Sequence, residues 1–165
     1  MKEYTAYLKS PIGTIKLTAT DDAITSILFE FDASRKEREK PNEILLECKK
    51  QLHEYFSGRR RKFELPLKLT GTEFQKSVWK ALQKIPYGKT VSYLDIAKTI
   101  ENPKAVRAVG MANSKNKIPI IIPCHRVIGE NGKLTGYAGG IWRKQWLLEH
   151  EDKYSGKKKQ MDMLE

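Results

Sequence analysis

The sequence predicts two domains of different class: an α/β domain in the N-terminal half, and a mostly α-helical domain with a helix-turn-helix in the C-terminal half. Residues 1–32 alternate between apolar and polar side chains, as half-buried strands do, and one amphipathic helix follows them. Beyond residue 71 the periodicity becomes helical, and the helical segments carry their own start signals. We place the domains at 1–66 and 67–153, followed by a basic tail at 154–165.

Length and composition are those of a folded protein with a substantial core. The chain has 165 residues, of which 39% are hydrophobic, and this argues against intrinsic disorder. No apolar run approaches the ~18 residues that a membrane-spanning helix needs. The N-terminus lacks the apolar segment of a secretory signal. We therefore expect a cytoplasmic protein.

The chain is strongly basic, with a formal net charge of +11. Such a charge attracts polyanions, of which nucleic acid is the commonest. Local excesses lie at 58–62 and at 156–159, and the second is most simply a solvated tail. A basic surface without a dedicated partner would have the same composition, so charge alone does not decide between the two interpretations.

The N-terminal domain is expected to hold three strands and one helix. Turn residues separate three alternating segments, YTAYLKS (4–10), TIKLTAT (14–20) and ITSILFEF (24–31). The charged segment 32–43 is expected to be a loop, and the helix that follows it ends near Gly58. Residues 59–71 are expected to be an extended linker, because Pro66 disfavours helix before it.

The two cysteines have different surroundings, and a disulfide is not expected in a cytosolic chain of this kind. Cys48 falls on the apolar face of its helix, which predicts a buried, inert thiol. Cys124 ends a run of isoleucines, follows Pro123 and precedes His125. We take Cys124 as the candidate for chemistry.

Three helices are predicted at the start of the C-terminal domain. Thr72 with Gln75, and Ser92 with Asp95, have the spacing of capping boxes. We expect Asn102 to cap the third helix, from Pro103 to about Asn113. The last two helices have the spacing of a helix-turn-helix, although an ordinary helical hairpin would look the same.

The third helix places one long cation among small residues. Arg107 lies opposite the apolar side, and Gly110 and Ser114 share its face. Small neighbours would let the helix approach a groove closely while the guanidinium reaches in. The alternative is a solvated arginine. A glycine inside a helix costs ~1 kcal/mol relative to alanine, which favours a functional reason for Gly110.

Cys124 needs a proton acceptor, because a free thiol has a pKa near ~8.5. In an extended chain the side chain of His125 would point to the opposite face. Pro123 can bend the path, and a water molecule can bridge the distance that remains. A third group should orient the imidazole. Spacing does not choose among the downstream carboxylates, which are Glu130, Glu149, Glu151, Asp152, Asp162 and Glu165. A cysteine hydrolase or a structural Cys-His pair remains open, and a zinc site lacks ligands.

These residues carry a resemblance to a known family. The segments that resemble the O6-alkylguanine-DNA alkyltransferases, in order and spacing, are GTEFQKSVWKALQKIPYGKTVSYLDIA (71–97), NPKAVRAVGMANSKNKIPIIIPCHRVI (102–128), IPCHRVIG (122–129) and GKLTGYAGGIWRKQWLLEHE (132–151). The N-terminal half is similar only loosely. The resemblance implies a ribonuclease-H-like first domain and a winged-helix-like second domain.

The resemblance also implies roles for the residues of the reactive centre. Cys124 would accept the alkyl group, and His125 would be the water-linked base. Glu151 would orient His125, Asn116 would brace the active segment, and the Tyr93 hydroxyl would bind the extruded guanine. No metal or cofactor is implied.

Further roles concern the pocket and the DNA. Tyr137, Gly139 and Gly140, with Tyr93 and Trp79, would line the base pocket. Arg107 would fill the gap in the base stack, and the DNA contacts would come from Ser92, Tyr93, Lys104 and Gly110. Many relatives have serine where this chain has Ala138, so a hydrogen bond to the O6 position would be missing.

The implied function is DNA repair by direct, irreversible transfer of an alkyl group from O6-alkylguanine to Cys124. The lesion would be flipped from double-stranded DNA, and a monomeric protein would be spent after one transfer. Activity on O4-alkylthymine stays open. The alternatives are a non-catalytic protein that senses alkyl lesions in DNA, and a cysteine hydrolase.

Overall fold

A computed structural model describes residues 2–29, 34 and 36–156. These residues form two compact units. The first contains the described residues up to Thr70 together with 117–119, and the second contains 71–116 and 120–156. The predicted loop at 32–43 lies partly outside the described residues, and the predicted basic tail lies outside them from residue 157.

The first unit is a three-stranded antiparallel sheet with one helix. Strands β1 (Tyr4–Ser10), β2 (Gly13–Ala19) and β3 (Ile24–Phe29) pair in that order. Helix α1 (Glu43–Phe56) packs on β1 and β2. The sheet and the helix share an apolar core of Ala6, Ile15, Leu17, Ile27, Leu45, Cys48, Leu52 and Tyr55. The predicted strands, helix and buried Cys48 are therefore confirmed within the described residues, and the last two residues of the third predicted strand, 30–31, lie outside them.

The segment after α1 is extended, and it pairs with the sheet. The Ile24 amide donates to the Pro66 carbonyl at 2.8 Å, and the Lys68 amide donates to the Ile24 carbonyl at 2.9 Å. Further along β3, the Ile27 amide donates to the Lys117 carbonyl at 2.9 Å. Backbone hydrogen bonds therefore hold this segment, which the sequence predicted only as a linker.

The second unit is mostly helical. Its helices are α2 (Glu73–Leu82), α3 (Tyr93–Thr99), α4 (Val106–Ser114) and α5 (Ile141–Lys153). Two short strands, β4 (Val91–Ser92) and β5 (Val127–Ile128), pair in parallel. The core side chains include Val78, Trp79, Leu82, Ile96, Ala97, Val109, Ala112 and Leu147. Among the described residues, no helix has the length and apolarity needed to cross a bilayer.

Both predicted capping boxes are present. The Thr72 hydroxyl accepts from the Gln75 amide at 3.1 Å, and the Gln75 side chain accepts from the Thr72 amide at 3.0 Å. Ser92 and Asp95 make the same pair of bonds at the start of α3. These bonds fix the first turns of α2 and α3, which pack against α4.

The prediction for the start of the third helix is wrong. Helix α4 begins at Val106, and its N-cap is Ala105, without a side-chain cap bond. Residues 102–105 instead form a turn closed by the Ala105 amide and the Asn102 carbonyl at 3.0 Å. The preceding Glu101 has a φ of 58°, which takes the chain out of α3 through the left-handed region. The connection between α3 and α4 is therefore longer than predicted.

Candidate active site

The Cys-His dipeptide lies in a turn. Cys124, His125 and Arg126 form one 3-10 turn, with the Cys124 amide donating to the Ile122 carbonyl at 2.8 Å. All three side chains are buried. Pro123 is the N-cap of this turn, so the chain is bent here, as expected, and is not extended.

The chain enters this turn through a strained residue. Ile120 has a φ of 76° and is buried. A β-branched residue in the left-handed region costs roughly 1–3 kcal/mol, so the surrounding packing must hold it there. The Asn116 side-chain amide donates to the Ile122 carbonyl at 2.8 Å. Packing and this bond together fix the segment that precedes Cys124.

His125 binds one of the carboxylates that spacing left open. Its Nε2 lies 2.6 Å from Glu151 Oε2, and both side chains are at most 1% exposed. Helix α5 carries Glu151 to this position. The Nδ1 atom of His125 is also buried, and no described residue hydrogen-bonds to it. The imidazole is thus held by one nitrogen, while the other is available.

Arg126 completes the environment of Glu151. Its Nε donates to Oε1 at 2.8 Å and its Nη2 donates to Oε2 at 3.0 Å, as in a bidentate arginine–carboxylate pair. Its Nη1 donates to the Ile85 carbonyl at 2.7 Å, and the Gly88 amide donates to Glu151 Oε1 at 3.2 Å. The sequence reasoning missed Arg126, although it directly follows His125.

These contacts determine the charges of the pair. Burial alone would raise the pKa of Glu151, but His125 and Arg126 stabilise the carboxylate more strongly and hold that pKa well below its ordinary range. Burial lowers the pKa of His125, and the opposing effect of Glu151 does not restore it. At neutral pH the imidazole is therefore uncharged. Because the carboxylate only accepts hydrogen bonds, Nε2 carries the proton and Nδ1 can accept one.

Cys124 is a thiol at rest. Burial raises its pKa to about 11, while an Asn116 hydrogen bond, the charge of Lys144 and two backbone amides oppose this shift. The side-chain amide of Asn113 lies 3.4 Å from the Cys124 carbonyl. The thiol therefore needs a base, and Asn116 is placed to stabilise the anion that forms.

Two buried cations on α5 hold the neighbouring loop. Arg143 Nη1 donates to the Gly139 carbonyl at 2.7 Å. Lys144 Nζ donates to the carbonyls of Val127 at 2.6 Å and Thr135 at 2.8 Å. The sequence reasoning missed both, because arginine and lysine are rarely buried and nothing local marks them.

Three of the predicted pocket residues lie in one loop, and Tyr93 lies in α3. The Tyr137 hydroxyl oxygen is buried, and burial, with a smaller contribution from Cys124, raises the pKa of Tyr137 well above its ordinary value. The Gly140 amide donates to the Tyr137 carbonyl at 2.8 Å, and Gly140 has a φ of 91°. The Tyr93 hydroxyl pairs with the Thr135 hydroxyl at 2.8 Å. Tyr137, Gly139 and Gly140 thus share the loop that precedes α5.

Trp79 lies in the core of the second unit. It is 3% exposed, and its indole Nε1 donates to the Ala112 carbonyl at 2.8 Å. The ring thus packs α2 on α4, and the placement of Trp79 in the base pocket stays a prediction.

The predicted DNA contacts lie on or near α4. Lys104 and Arg107 are exposed, and Gly110 lies beside the Tyr93 ring. The Ser92 hydroxyl is engaged as the cap of α3. The prediction that Arg107 has only small neighbours is incomplete, because Met111 is 67% exposed on nearly the same side of the helix. Within the described residues, no group of three or more His, Cys, Asp or Glu side chains could hold a metal ion.

We expect alkylation of Cys124 by iodoacetamide to accelerate from about pH 7 to about pH 10, because the thiolate fraction rises about tenfold per pH unit below the raised pKa. Peptide mass mapping over this range measures the rate at Cys124. Cys48, whose pKa burial raises to about 12, is the internal comparison. A rate at Cys124 that is already constant near neutral pH would show a thiolate at rest and contradict this assignment.

We expect Glu151→Gln to lower the free energy of unfolding by about 3–5 kcal/mol, because Arg126 would be left buried without its anion. Since the folded pKa of Glu151 is depressed, its contribution is present above about pH 4.3 and is lost as the pH falls below that value. Urea unfolding at several pH values measures both effects. The control is Glu149→Gln, an exposed carboxylate on the same helix. Equal effects of the two variants would refute the buried ion pair.

Both units match domains of one known protein family. Residues 3–69 match the 6-O-methylguanine DNA methyltransferase ribonuclease-like domain, and residues 73–153 match the DNA binding domain of the same family. These matches confirm the predicted ribonuclease-like and DNA-binding classes of the two domains.

Two curated relatives cover nearly the whole chain. The methylated-DNA–protein-cysteine methyltransferase of Methanosarcina acetivorans is 49% identical over 90% of this chain and 97% of its own length. The constitutive methylated-DNA–protein-cysteine methyltransferase of Bacillus subtilis is 44% identical over 96% of this chain and 100% of its own length.

Solved structures agree in fold. The Mycobacterium tuberculosis O6-methylguanine methyltransferase superposes with a TM-score of 0.84 at 44% identity, covering 93% of this chain and 95% of its own. The OGT protein of the same organism in complex with DNA gives a TM-score of 0.82 at 46% identity, over 92% and 93% of the two chains. The predicted activity class, transfer of an alkyl group from DNA to a protein cysteine, is confirmed. With a buried Cys-His-Glu centre on a matching fold, the chain belongs to the 6-O-methylguanine DNA methyltransferase family.

Proposed function

We propose that this chain repairs DNA by moving the alkyl group from O6 of guanine to Sγ of Cys124. The observation that carries the proposal is the arrangement of Cys124, His125 and Glu151. A buried thiol adjoins a neutral imidazole, one nitrogen of which is fixed by a carboxylate while the other can accept a proton. Such an arrangement generates a thiolate only when a base removes the proton.

The proton of the Cys124 thiol passes to Nδ1 of His125 through one bridging water. The imidazolium that forms is stabilised by Glu151, which lies 2.6 Å from Nε2. Arg126 holds the carboxylate in place and keeps it ionised. Asn116 donates to the developing thiolate. The cost of forming an anion in this buried place is thereby reduced.

The thiolate then displaces guanine at the alkyl carbon. A bond forms between Sγ of Cys124 and that carbon, and the bond from the carbon to O6 breaks with its electron pair going to the base. A hydrogen bond from the Tyr93 hydroxyl disperses the charge on the leaving purine. The product is a thioether, which has no carbonyl for water to attack. The protein is therefore consumed by one transfer.

The buried position of Cys124 requires the base to leave the duplex. The side chain is 4% exposed, so a stacked guanine has no access to it. Flipping costs a few kcal/mol, and less for a weakly paired lesion. The loop with Tyr137, Gly139 and Gly140 would close over the extruded base. Ala138 presents a methyl group where a hydroxyl could have bound O6.

Helix α4 would carry the contact with the DNA. Arg107 is exposed and would fill the space that the flipped base leaves. The minor groove gives poor sequence readout, which suits a lesion that can occur in any sequence. The net charge of +11 would add affinity that falls with salt. Every step uses residues of one chain, so the protein would act as a monomer. We place it in the cytoplasm.

We expect one transfer per chain. Incubation with an excess of duplex carrying O6-methylguanine should add one methyl group to each chain, all on Cys124, and then stop. Intact-mass analysis with peptide mapping measures this. The matched control is Cys124→Ser, which should bind the same duplex with unchanged affinity and gain no mass. Repeated turnover would support a cysteine hydrolase, and binding without any adduct would support a lesion sensor.

We expect Arg107→Ala to slow transfer from duplex by at least about tenfold, because the cost of flipping is then no longer offset. Transfer from free O6-methylguanine base should be unchanged, since no flipping is needed. Quench-flow measurement on both substrates tests this. Arg107→Lys keeps the charge but lacks the planar guanidinium, and should fall between the two. Equal losses on duplex and free base would remove this role from Arg107.

We expect Gly110→Ala to separate stability from function. A Cβ at this position would lie 3.9 Å from the nearest Tyr93 ring atoms, which is ordinary contact. The variant should therefore raise the free energy of unfolding by up to about 1 kcal/mol through helix propensity. Its affinity for duplex should fall, because the helix can no longer approach the groove as closely. An unchanged affinity, measured by fluorescence anisotropy, would contradict the proposed contact.

A further inference from the structure

Met111 is the most exposed of the large apolar side chains in the described part of the chain. Its exposed fraction is 67%, against 55% for Leu46 on the first unit. Single exposed apolar residues are common and need no explanation by themselves. The position of Met111 within α4 is what distinguishes it.

Cations surround Met111 on its own side of the helix. At 3.6 residues per turn, Arg107 and Lys115 lie about 40° from it around the helix axis. Lys104 lies in the turn just before the helix. All three are exposed. No Asp or Glu occurs between Asn102 and Asn116. An apolar side chain with a rim of cations and no anion matches the chemistry of a duplex groove, where apolar sugar edges lie between rows of phosphates.

The widths of helix α4 and of the DNA minor groove indicate a function for Met111. An α-helix is about 10–12 Å wide and the minor groove of B-DNA is about 6 Å wide, so the groove must open to admit α4. Proteins that open this groove insert apolar side chains, methionine among them, against or between base steps. Four residues of helix rise about 6 Å, which is close to two base steps of about 3.4 Å.

We propose that Met111 is a second DNA-contacting residue, an apolar wedge that holds the minor groove open about two base steps from Arg107. Arg107 fills the space left by the flipped base, while Met111 contacts sugars and base edges of the neighbouring steps. The inference rests on the proposed binding of duplex DNA through α4. It adds an apolar, salt-independent contribution to an interface that is otherwise held by cations.

The test compares three substitutions on a Cys124→Ser background, in which binding is measured without transfer. Met111→Gln keeps the length of the side chain and loses its apolar character, Met111→Leu keeps the apolar character, and Leu46→Ala is the control on the first unit. We expect Met111→Gln to weaken binding to duplex by about five- to tenfold, in line with burial of part of one apolar side chain. Met111→Leu should restore most of it, and Leu46→Ala should have no effect.

The salt dependence of binding distinguishes the loss of an apolar contact by Met111 from a change in the electrostatic contribution to binding. Met111→Gln should leave the slope of log affinity against log salt unchanged, whereas Lys104→Ala should reduce its magnitude by about one phosphate contact. In chains with Cys124 intact, Met111→Gln should slow transfer from duplex and leave transfer from free O6-methylguanine base unchanged. Thermal unfolding should be unaltered, since the side chain is exposed.

The outcomes decide the inference independently of the transfer chemistry. Unchanged duplex affinity of Met111→Gln, an altered salt slope, or equal weakening by Leu46→Ala would overturn it. Absence of any adduct on Cys124 in the unsubstituted chain would instead overturn the proposed function, while the binding measurements would still report on Met111.

Discussion

The active site depends on one buried carboxylate. Glu151 accepts hydrogen bonds from His125, from two nitrogens of Arg126 and from the Gly88 amide. An ionised carboxylate at 1% exposure is costly unless it is paired, and this one is paired with a guanidinium. The same carboxylate fixes the tautomer of His125 and leaves Nδ1 as a base. Fold stability and thiol activation therefore use one set of contacts, which joins α5 to the turn that holds Cys124.

Burial protects Cys124 from reaction with solutes and also limits which bases can react with it. A thiol with a pKa of about 11 is unreactive toward solutes at neutral pH, which suits a residue that can be used only once. Reaction then requires an alkyl carbon held beside Sγ long enough for His125 to take the proton. Recognition of the lesion therefore depends on distortion of the DNA, since only a base that has left the stack reaches Cys124. The exposed face of α4 and the buried centre are two parts of one selection process.

The sequence was most informative where structure is local. The sequence predicted the strands of the first unit and the capping boxes of α2 and α3, because each depends on residues close in the chain. The resemblance around Cys124 was visible for the same reason, since contiguous segments carry it. Long-range contacts were not. Arg126 and Lys144 are held by residues distant in the chain, and the indole of Trp79 donates to the Ala112 carbonyl, 33 residues away. The start of α4 was misplaced because Asn102 closes a turn with its carbonyl. Met111 escaped notice because side-chain exposure is a tertiary property.

The tautomer of His125 tests the central claim most directly. Heteronuclear NMR of the protein with isotopically labelled imidazole nitrogens reports the protonation of Nδ1 and Nε2 separately. The account predicts a neutral ring near neutral pH, with the proton on Nε2 facing Glu151 and none on Nδ1. A ring protonated on both nitrogens, or a proton on Nδ1 alone, would leave Cys124 without its base and contradict the account.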